Sequence, residues 1–480
     1  MSDCCAAASG ACESDGLHLV IVGGGSAAFA AATRAAELGA RATIINDGLP
    51  IGGTCVNVGC VPSKTLIRAA EAHHRAAHHS FEGIESSSRV TNFAAVIRQK
   101  RELVESLRQA KYLDVVADLP GVRIVKGRAR FVAPRTVEIN GERITGDRVL
   151  IATGAAPHVP PIPGLADAGY LTNESLFEIE ELPESLIVLG GRYVALECAQ
   201  AYARFGSRVT LLQRSDRVLP SESADLTDAL TGYLRDEGVE VVTRVMTSAV
   251  RREHGRIAVD ANANGVRRLF HSSHLLVATG RHPNTSGMGL EHVGIRIDKG
   301  GYLTVDDTLR STAPDVYGAG DVIGSPEFVY TAAYEGALAA ENALTGSNHA
   351  RDYAALPWVV FTDPQVAGVG LDEAHAREQG LDVDVATLPL THVPRALAAR
   401  DVRGFIRLVR DRATDRLVGG RVLAPEGSEL LMEIAVAIKF NITVAQLRSM
   451  FHPYLTLGEG VKLAAITFGK DVAKLSCCAT

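Results

Sequence analysis

Residues 17–46 read LHLVIVGGGSAAFAAATRAAELGARATIIN: a buried strand, a glycine turn, an Ala-rich helix and a second strand. That order is half of a doubly wound nucleotide-binding domain. In VGGGSAA, Gly23 and Gly25 permit a tight turn and close approach of the backbone to a pyrophosphate, and Ala28 lets the helix pack close to its strand. The helix N-terminus supplies a complementary partial positive charge. A glycine turn by itself often only joins a strand to a helix; the strand before and the helix after favour dinucleotide binding here. The second strand ends in Asn46, with Asp47 beside it, where an acidic residue for a ribose is expected, so Asn46 is the candidate ribose contact.

The same order recurs from Ser185 as SLIVLGGRYVALECAQAYARFGSRVTLLQR. Gly190 is kept, but Arg192 takes the middle glycine position and Ala195 the last. Its second strand ends in Leu212, Gln213 and Arg214, which offers no carboxylate to a free ribose hydroxyl but an Arg for a 2′-phosphate, favouring NADPH over NADH. VLIATGAAP (149–157) and LLVATGRHP (275–283) each place a strand before a Gly and Pro turn, as crossings between two nucleotide domains require, so the second domain is inserted into the first. Beyond residue 351, strand-like runs such as GFIRLVRD alternate with helices such as SELLMEIAVAIKF, the pattern of a separate α+β domain. The expected division is 1–16 as a flexible Cys-containing tail, 17–155 with 282–350, then 156–281, then 351–480.

The 480 residues suffice for about three domains. Apolar residues at 46% and charged residues at 22% have the balance of a water-soluble globular protein. A net charge of -6 gives no basic excess, which makes nucleic acid and anionic membrane poor partners. No apolar run reaches the ~18 residues of a spanning helix. The first basic residue is Arg34, so no positively charged signal-peptide start is present and a cytoplasmic location is expected. The cysteines cluster as Cys4, Cys5, Cys12, Cys55, Cys60, Cys198, Cys477 and Cys478, which points to redox chemistry or metal capture.

The segment GGTCVNVGCVPSK (52–64) separates Cys55 from Cys60 by four residues, followed by Pro62 and Lys64. On one helical turn such cysteines could close a disulfide. A structural zinc site and two buried thiols are the alternatives, and no second Cys or His pair lies nearby to complete a tetrahedral site.

With this segment the chain resembles the pyridine nucleotide-disulfide oxidoreductases, the family of glutathione reductase and dihydrolipoyl dehydrogenase, from about residue 18 to 480. The resemblance implies two doubly wound domains, for FAD and NADPH, and a C-terminal α+β dimerisation domain that forms a homodimer. It implies FAD on the first glycine turn, Asp321 of YGAGD on the flavin ribitol, and Lys64 and Glu197 beside flavin N5. Tyr193 would lie over the nicotinamide pocket, Cys60 would face the flavin and Cys55 would be the exchanging thiol. Ser26, Gly53, Thr54, Thr153, Gly154 and Gly280 join the implied cofactor contacts.

The chain ends LSCCAT, and vicinal Cys477 and Cys478 on a tail can capture and pass on a soft ion; a vicinal disulfide or incidental thiols are the alternatives. Within the family this pair, with FVYTAA, FTDPQVA, VPRALA, PYLT and KDVAKLSCCA, resembles the mercuric reductase branch. Thiolates prefer large polarizable cations, so cellular Hg(II) sits between sulfurs and moves by thiol exchange. The resemblance implies Hg(II) as substrate, passed from Cys477 and Cys478 of one subunit to Cys55 and Cys60 of the other and reduced there to Hg(0). It places Tyr112 and the partner subunit's Tyr454 as phenols near the ion, with packed aromatics as the alternative.

His452 and Pro453 are similar to the His-Pro of thiol-reducing members, in which a Glu five residues on orients the imidazole; Leu457 stands there, so the expected carboxylate is missing. An organic disulfide reductase, dihydrolipoyl dehydrogenase-like, is the second reading, and a metal-sequestering protein without catalysis the third. His73, His74, His78 and His79 form a helical cluster, an adventitious metal site or a solvated face. Cys198 reads as a packing residue, and Cys4, Cys5 and Cys12 as an abbreviated metal-gathering arm.

Overall fold

Strand β1 (His18–Val22) is apolar at every position after the first because both of its faces are covered. Leu19 and Ile21 enter one core, with the alanines of helix α1 (Ser26–Glu37), while Val20 and Val22 enter another with Phe131, Val137 and Ile139. The computed structural model describes residues 16–471. Cys4, Cys5, Cys12, Cys477 and Cys478 lie outside them.

The described chain forms two units: up to Asn57 with Val104–Ala156 and His282–Arg351, and Val58–Leu103 with Pro157–Arg281 and the residues from Asp352 onward. In the first, a five-stranded sheet runs Val316–Gly318, Arg148–Ile151, β1, β2 (Arg41–Asn46) and Val122–Lys126, parallel throughout. Helix α1 packs on helix Val329–Thr345 at close range: a Cβ built on Gly336 would lie 2.1 Å from the Ala27 carbonyl oxygen. An antiparallel sheet, Arg130–Ala133, Thr136–Ile139 and Glu142–Thr145, covers the other face.

In the second unit a parallel sheet runs Glu240–Val242, Arg208–Leu212, Ser185–Leu189 and His274–Val277. After a short helix, α2 (Gly53–Val58), whose residues to Asn57 belong to the first unit, come α3 (Cys60–Ala77) in this unit and α4 (Phe93–Arg108), which belongs to it as far as Leu103 and to the first unit from Val104. Leu66, Ala70, Phe93 and Ile97 share a core with Leu196, Ala199 and Tyr202 of helix Tyr193–Phe205, which is why Val58–Leu103 belongs to this unit. From Pro357 an antiparallel sheet of Pro357–Val360, Gln365–Gly370, Leu417–Ala424, Phe405–Asp411 and Val383–Pro389 carries helices Gly427–Lys439 and Glu459–Ile466. Two doubly wound parallel folds and an α+β domain are thus present, as the sequence predicts. No described helix is long and apolar enough to cross a membrane.

Within this second unit a buried ion network joins helices to the C-terminal sheet domain. Arg204, 3% exposed, donates to both oxygens of Glu237 at 2.7 and 2.6 Å and to Asp363 at 3.1 Å. Arg403 bridges Asp363 and Asp401 at 3.0 and 2.7 Å. His74 lies 3.9 Å from Glu237 and stacks on His78, with ring centroids 4.4 Å apart. His78 and His79 are exposed, and the described residues contain no group of three or more His, Cys, Asp or Glu able to hold a metal.

Burial, reinforced by the Arg204 charge, pushes the His74 imidazole down from 6.5 to about 4. As pH falls from 6.5 toward about 4, the unfolded chain takes up a proton that the folded chain refuses, so His74 subtracts stability across that window. His74→Gln should spare about 1–2 kcal/mol of the acid destabilisation, allowing for the partial solvent access of the ring. Urea unfolding of both proteins at neutral and mildly acid pH measures the difference.

Candidate active site

The glycine turn of the first unit packs main chain against main chain. Gly23 has φ +127°, and a Cβ there would lie 2.0 Å from the Ala152 carbonyl oxygen. Helix α1 opens at Ser26 with no side-chain cap and no acidic residue in its first turn. Its leading N–H groups therefore offer an anion site of the pyrophosphate type. Asn46 ends β2 and donates to the Leu49 carbonyl at 3.0 Å. Asp321 opens a short 3-10 turn directly after Gly320, whose N–H donates to buried Glu335 at 2.7 Å. Thr153 and Gly154 are strapped to Asn284 by three hydrogen bonds of 2.8 to 2.9 Å. These features fit a bound dinucleotide.

The turn leading to Cys55 sits on that same glycine turn. Gly52 N donates to Gly24 O at 2.8 Å, and Gly53, at φ +63°, leaves so little room that a Cβ would lie 2.7 Å from Gly25 Cα. Thr54 and Cys55 follow in α2, both half-buried. The two cysteines do not share one regular helical turn, as their spacing suggests. Helix α2 stops at Val58, Gly59 leaves the helical region at φ -122°, ψ -110°, and Cys60 begins α3. Pro62 is tolerated in the first turn of α3, where its missing N–H has no helical acceptor to lose. The carbonyl of Val58, left over where α2 ends, accepts from Asn173 at 2.8 Å. Tyr112 is half-buried in a π-helical turn, Gln109–Leu113, with its ring edge-on to Phe29 at 4.8 Å.

In the second unit Lys64 Nζ donates to Glu197 Oε2 at 2.8 Å and lies 4.4 Å over the Phe361 ring. Glu197 is 5% exposed, and its other oxygen accepts from Phe361 N at 3.0 Å. Tyr193 begins helix Tyr193–Phe205, edge-on to Trp358 at 6.0 Å; burial first, then the Glu222 charge, push its hydroxyl up to about 12. Gly190 N donates to Leu212 O at 3.0 Å, which closes the second glycine turn. Arg214 is exposed just beyond that strand, and Gly280 accepts from His158 N at 2.9 Å. Cys198 is 3% exposed in the core and burial pushes its thiol up, which suits packing rather than reactivity. Tyr454 is 51% exposed.

The structure corrects the reading of His452. Leu457 supplies no carboxylate, but Glu433 does: its Oε1 lies 2.7 Å from His452 Nε2, and the imidazole side chain is only 7% exposed. Glu433 lies on helix Gly427–Lys439, so no local spacing rule pairs it with His452.

A family model described as pyridine nucleotide-disulphide oxidoreductase matches residues 17–336, and the dimerisation domain of the same family matches 356–465. The chain belongs to the pyridine nucleotide-disulphide oxidoreductase family. It is 42% identical over 460 residues to a mercuric reductase of Bacillus cereus, covering 96% of this chain and 73% of the relative. To a mercuric reductase of Streptomyces lividans it is 45% identical over 471 residues, covering 97% and 98%. Its fold matches a Cu(II) complex of the HOCl-induced flavoprotein disulfide reductase RclA from Escherichia coli, with TM-score 0.84, 29% identity and coverage of 95% and 100%. LpdA from Mycobacterium tuberculosis matches with TM-score 0.83, 31% identity and the same coverages. This oxidoreductase is thus a flavoprotein that uses a pyridine nucleotide.

The Lys64 and Glu197 pair gives a test within one unit. Lys64→Met leaves Glu197 buried without its cation, at a cost of about 2 kcal/mol, below a fully buried pair because the Lys64 side chain is 33% exposed. Lys64→Met combined with Glu197→Gln should recover most of that loss in a double-mutant cycle of chemical unfolding.

Proposed function

We propose that this oxidoreductase reduces thiol-bound Hg(II) to Hg(0), with NADPH as electron source, as part of mercury detoxification. The observation that carries the reading is the seating of the Cys55 turn on the glycine turn, through the Gly52 N to Gly24 O bond and the Gly53–Gly25 contact. An exchanging sulfur and an anion-binding helix start then share one frame. Similarity to mercuric reductases along 96% of the chain supplies the substrate class.

On this reading Gly23, Gly25, Ser26, Ala28, Asn46, Gly53, Thr54, Thr153, Gly154 and Asp321 hold FAD in the domain 17–155 with 282–350. Gly190, Tyr193, Arg214 and Gly280 serve NADPH, mainly from the domain 156–281, with Arg214 on the 2′-phosphate. FAD supplies a two-electron relay between nicotinamide and sulfur. Lys64 and Glu197 keep one positive and one negative charge fixed where that relay ends. Cys60, first residue of α3, gains from the helix N-terminus, which stabilises a thiolate. Cys55 and Cys60 hold Hg(II) while two electrons arrive, and both remain as thiolates when Hg(0), which binds thiolates weakly, leaves. Cys477 and Cys478 deliver the ion by thiol exchange, and Tyr112 and the partner subunit's Tyr454 flank it. The homodimer forms through residues 351–480, where Met432 and Val436 on helix Gly427–Lys439 and Phe440 at its C-cap stand exposed. The expected location is cytoplasmic.

The purified flavoprotein should oxidise NADPH only when Hg(II) is added, and failure to do so would remove this reading. With Hg(II) held by excess low-molecular-weight thiol, Cys477→Ala/Cys478→Ala should slow turnover at least about tenfold, some 1.4 kcal/mol of barrier, without changing flavin reduction. Equal turnover would exclude the handoff.

One observation favours a second reading, reduction of an organic disulfide. The Glu433 carboxylate at 2.7 Å from Nε2 holds the His452 ring in one orientation, as an imidazole that protonates a leaving thiolate requires. Rapid NADPH-driven reduction of oxidised lipoamide or glutathione without Hg(II) turnover would put this reading first.

A further inference from the structure

Asn57 stands between the two cysteines in sequence and is 7% exposed. Its amide nitrogen reaches three carbonyl oxygens, Pro50 at 3.0 Å, Ile51 at 3.1 Å and Gly53 at 2.9 Å. An amide has two hydrogens, so these acceptors share them and close the backbone from Pro50 to Gly53 around one side chain. Such a ring of acceptors works only if the amide presents nitrogen inward and oxygen outward. The outward oxygen accepts from Arg108 Nη1 at 3.1 Å.

Arg108 therefore decides which way the amide faces. Without a donor there, the buried oxygen goes unsatisfied, at about 1–3 kcal/mol, or the amide turns and sets oxygen against carbonyl oxygens. Arg108 ends α4 at the point where the chain enters the π-helical turn Gln109–Leu113. Single π-turns of this kind frequently sit at functional sites. The same segment grips the turn a second time: ring carbons of Tyr112 lie 3.3 Å from where Gly52 would carry a Cβ.

We infer that Arg108 is a positioning residue for the redox pair, orienting Asn57 and thereby holding the helix that carries Cys55 in the conformation that thiol exchange uses. The inference rests on the reading of Cys55 and Cys60 as an exchanging pair. Its consequence is thermodynamic: a turn held in one conformation raises the effective concentration of one sulfur at the other, and a loosened turn lowers it.

The test equilibrates the full-length flavoprotein in glutathione buffers and quantifies the Cys55–Cys60 disulfide by differential alkylation and peptide mass spectrometry. In that exchange the two protein thiols lose two electrons and two protons, an S–S bond forms between them, and glutathione disulfide is cleaved to two glutathione thiols. Arg108→Ala should lower the equilibrium constant for disulfide formation roughly tenfold. Arg108→Lys, which retains a charged donor, should recover at least half of that change on a logarithmic scale. Glu105→Ala, removing an exposed carboxylate 3.7 Å from Arg108, should leave the constant unchanged. A purely structural Arg108 would lower Tm and leave the constant alone, and that result in Arg108→Ala overturns the inference. If Arg108→Ala does not fold, Arg108→Met, which keeps the aliphatic length but offers no donor, takes its place in the same comparison. A wild-type pair that no glutathione ratio oxidises would instead overturn the redox reading, and this inference with it.

Discussion

A backbone hydrogen bond of 2.8 Å from Gly52 to Gly24, with Gly53 pressed on Gly25, couples the two chemical parts of the first unit. Neither partner uses a side chain. The turns that lead into α1 and into the helix bearing Cys55 meet main chain to main chain, with no flexible group between. At Gly53 that contact leaves no room for a Cβ, which would lie 2.7 Å from Gly25 Cα. The parallel sheet behind them then acts as a rigid support, and β1 has to be apolar on both faces to be covered on both. Much of the first unit is arranged around seating the turn before Cys55 on the glycine turn before α1.

How much of this was legible in the sequence depends on the range of the interaction. The strand, glycine turn and helix of 17–46 are local, and their continuous apolar run and small residues reveal the doubly wound fold without help. The second glycine turn is readable for the same reason, although Arg192 replaces a glycine. The break between α2 and α3 was not legible: a four-residue gap between cysteines reads as one helical turn, and only the backbone at Gly59 shows two helices. Lys64 and Glu197 were paired by family resemblance, since two positions 133 residues apart carry no spacing signal.

Glu433 and Arg108 mark where reading by position stops. The family resemblance implies a carboxylate for His452 five residues downstream, and the chain supplies one instead from a helix 19 residues upstream. An imidazole needs a carboxylate oxygen at hydrogen-bond distance, and chemistry does not specify which element brings it. Arg108 is an ordinary basic residue at the end of an amphipathic helix, and only its contact with Asn57 distinguishes it.

Asn57 also shows why a polar residue belongs inside a turn that must not move. An apolar side chain of the same size would fill the space but leave the carbonyls of Pro50, Ile51 and Gly53 without that donor. A carboxylate would repel them. An amide alone joins two donors and an acceptor on one rigid plane, so it can satisfy the carbonyls and still require a donor from outside. The required donor ties the turn to α4, and buried polar groups that are fully satisfied specify one arrangement where apolar packing tolerates several. Here the cost of burying polarity is offset by uniqueness of conformation, the property that two sulfurs need if they are to meet repeatedly in the same geometry.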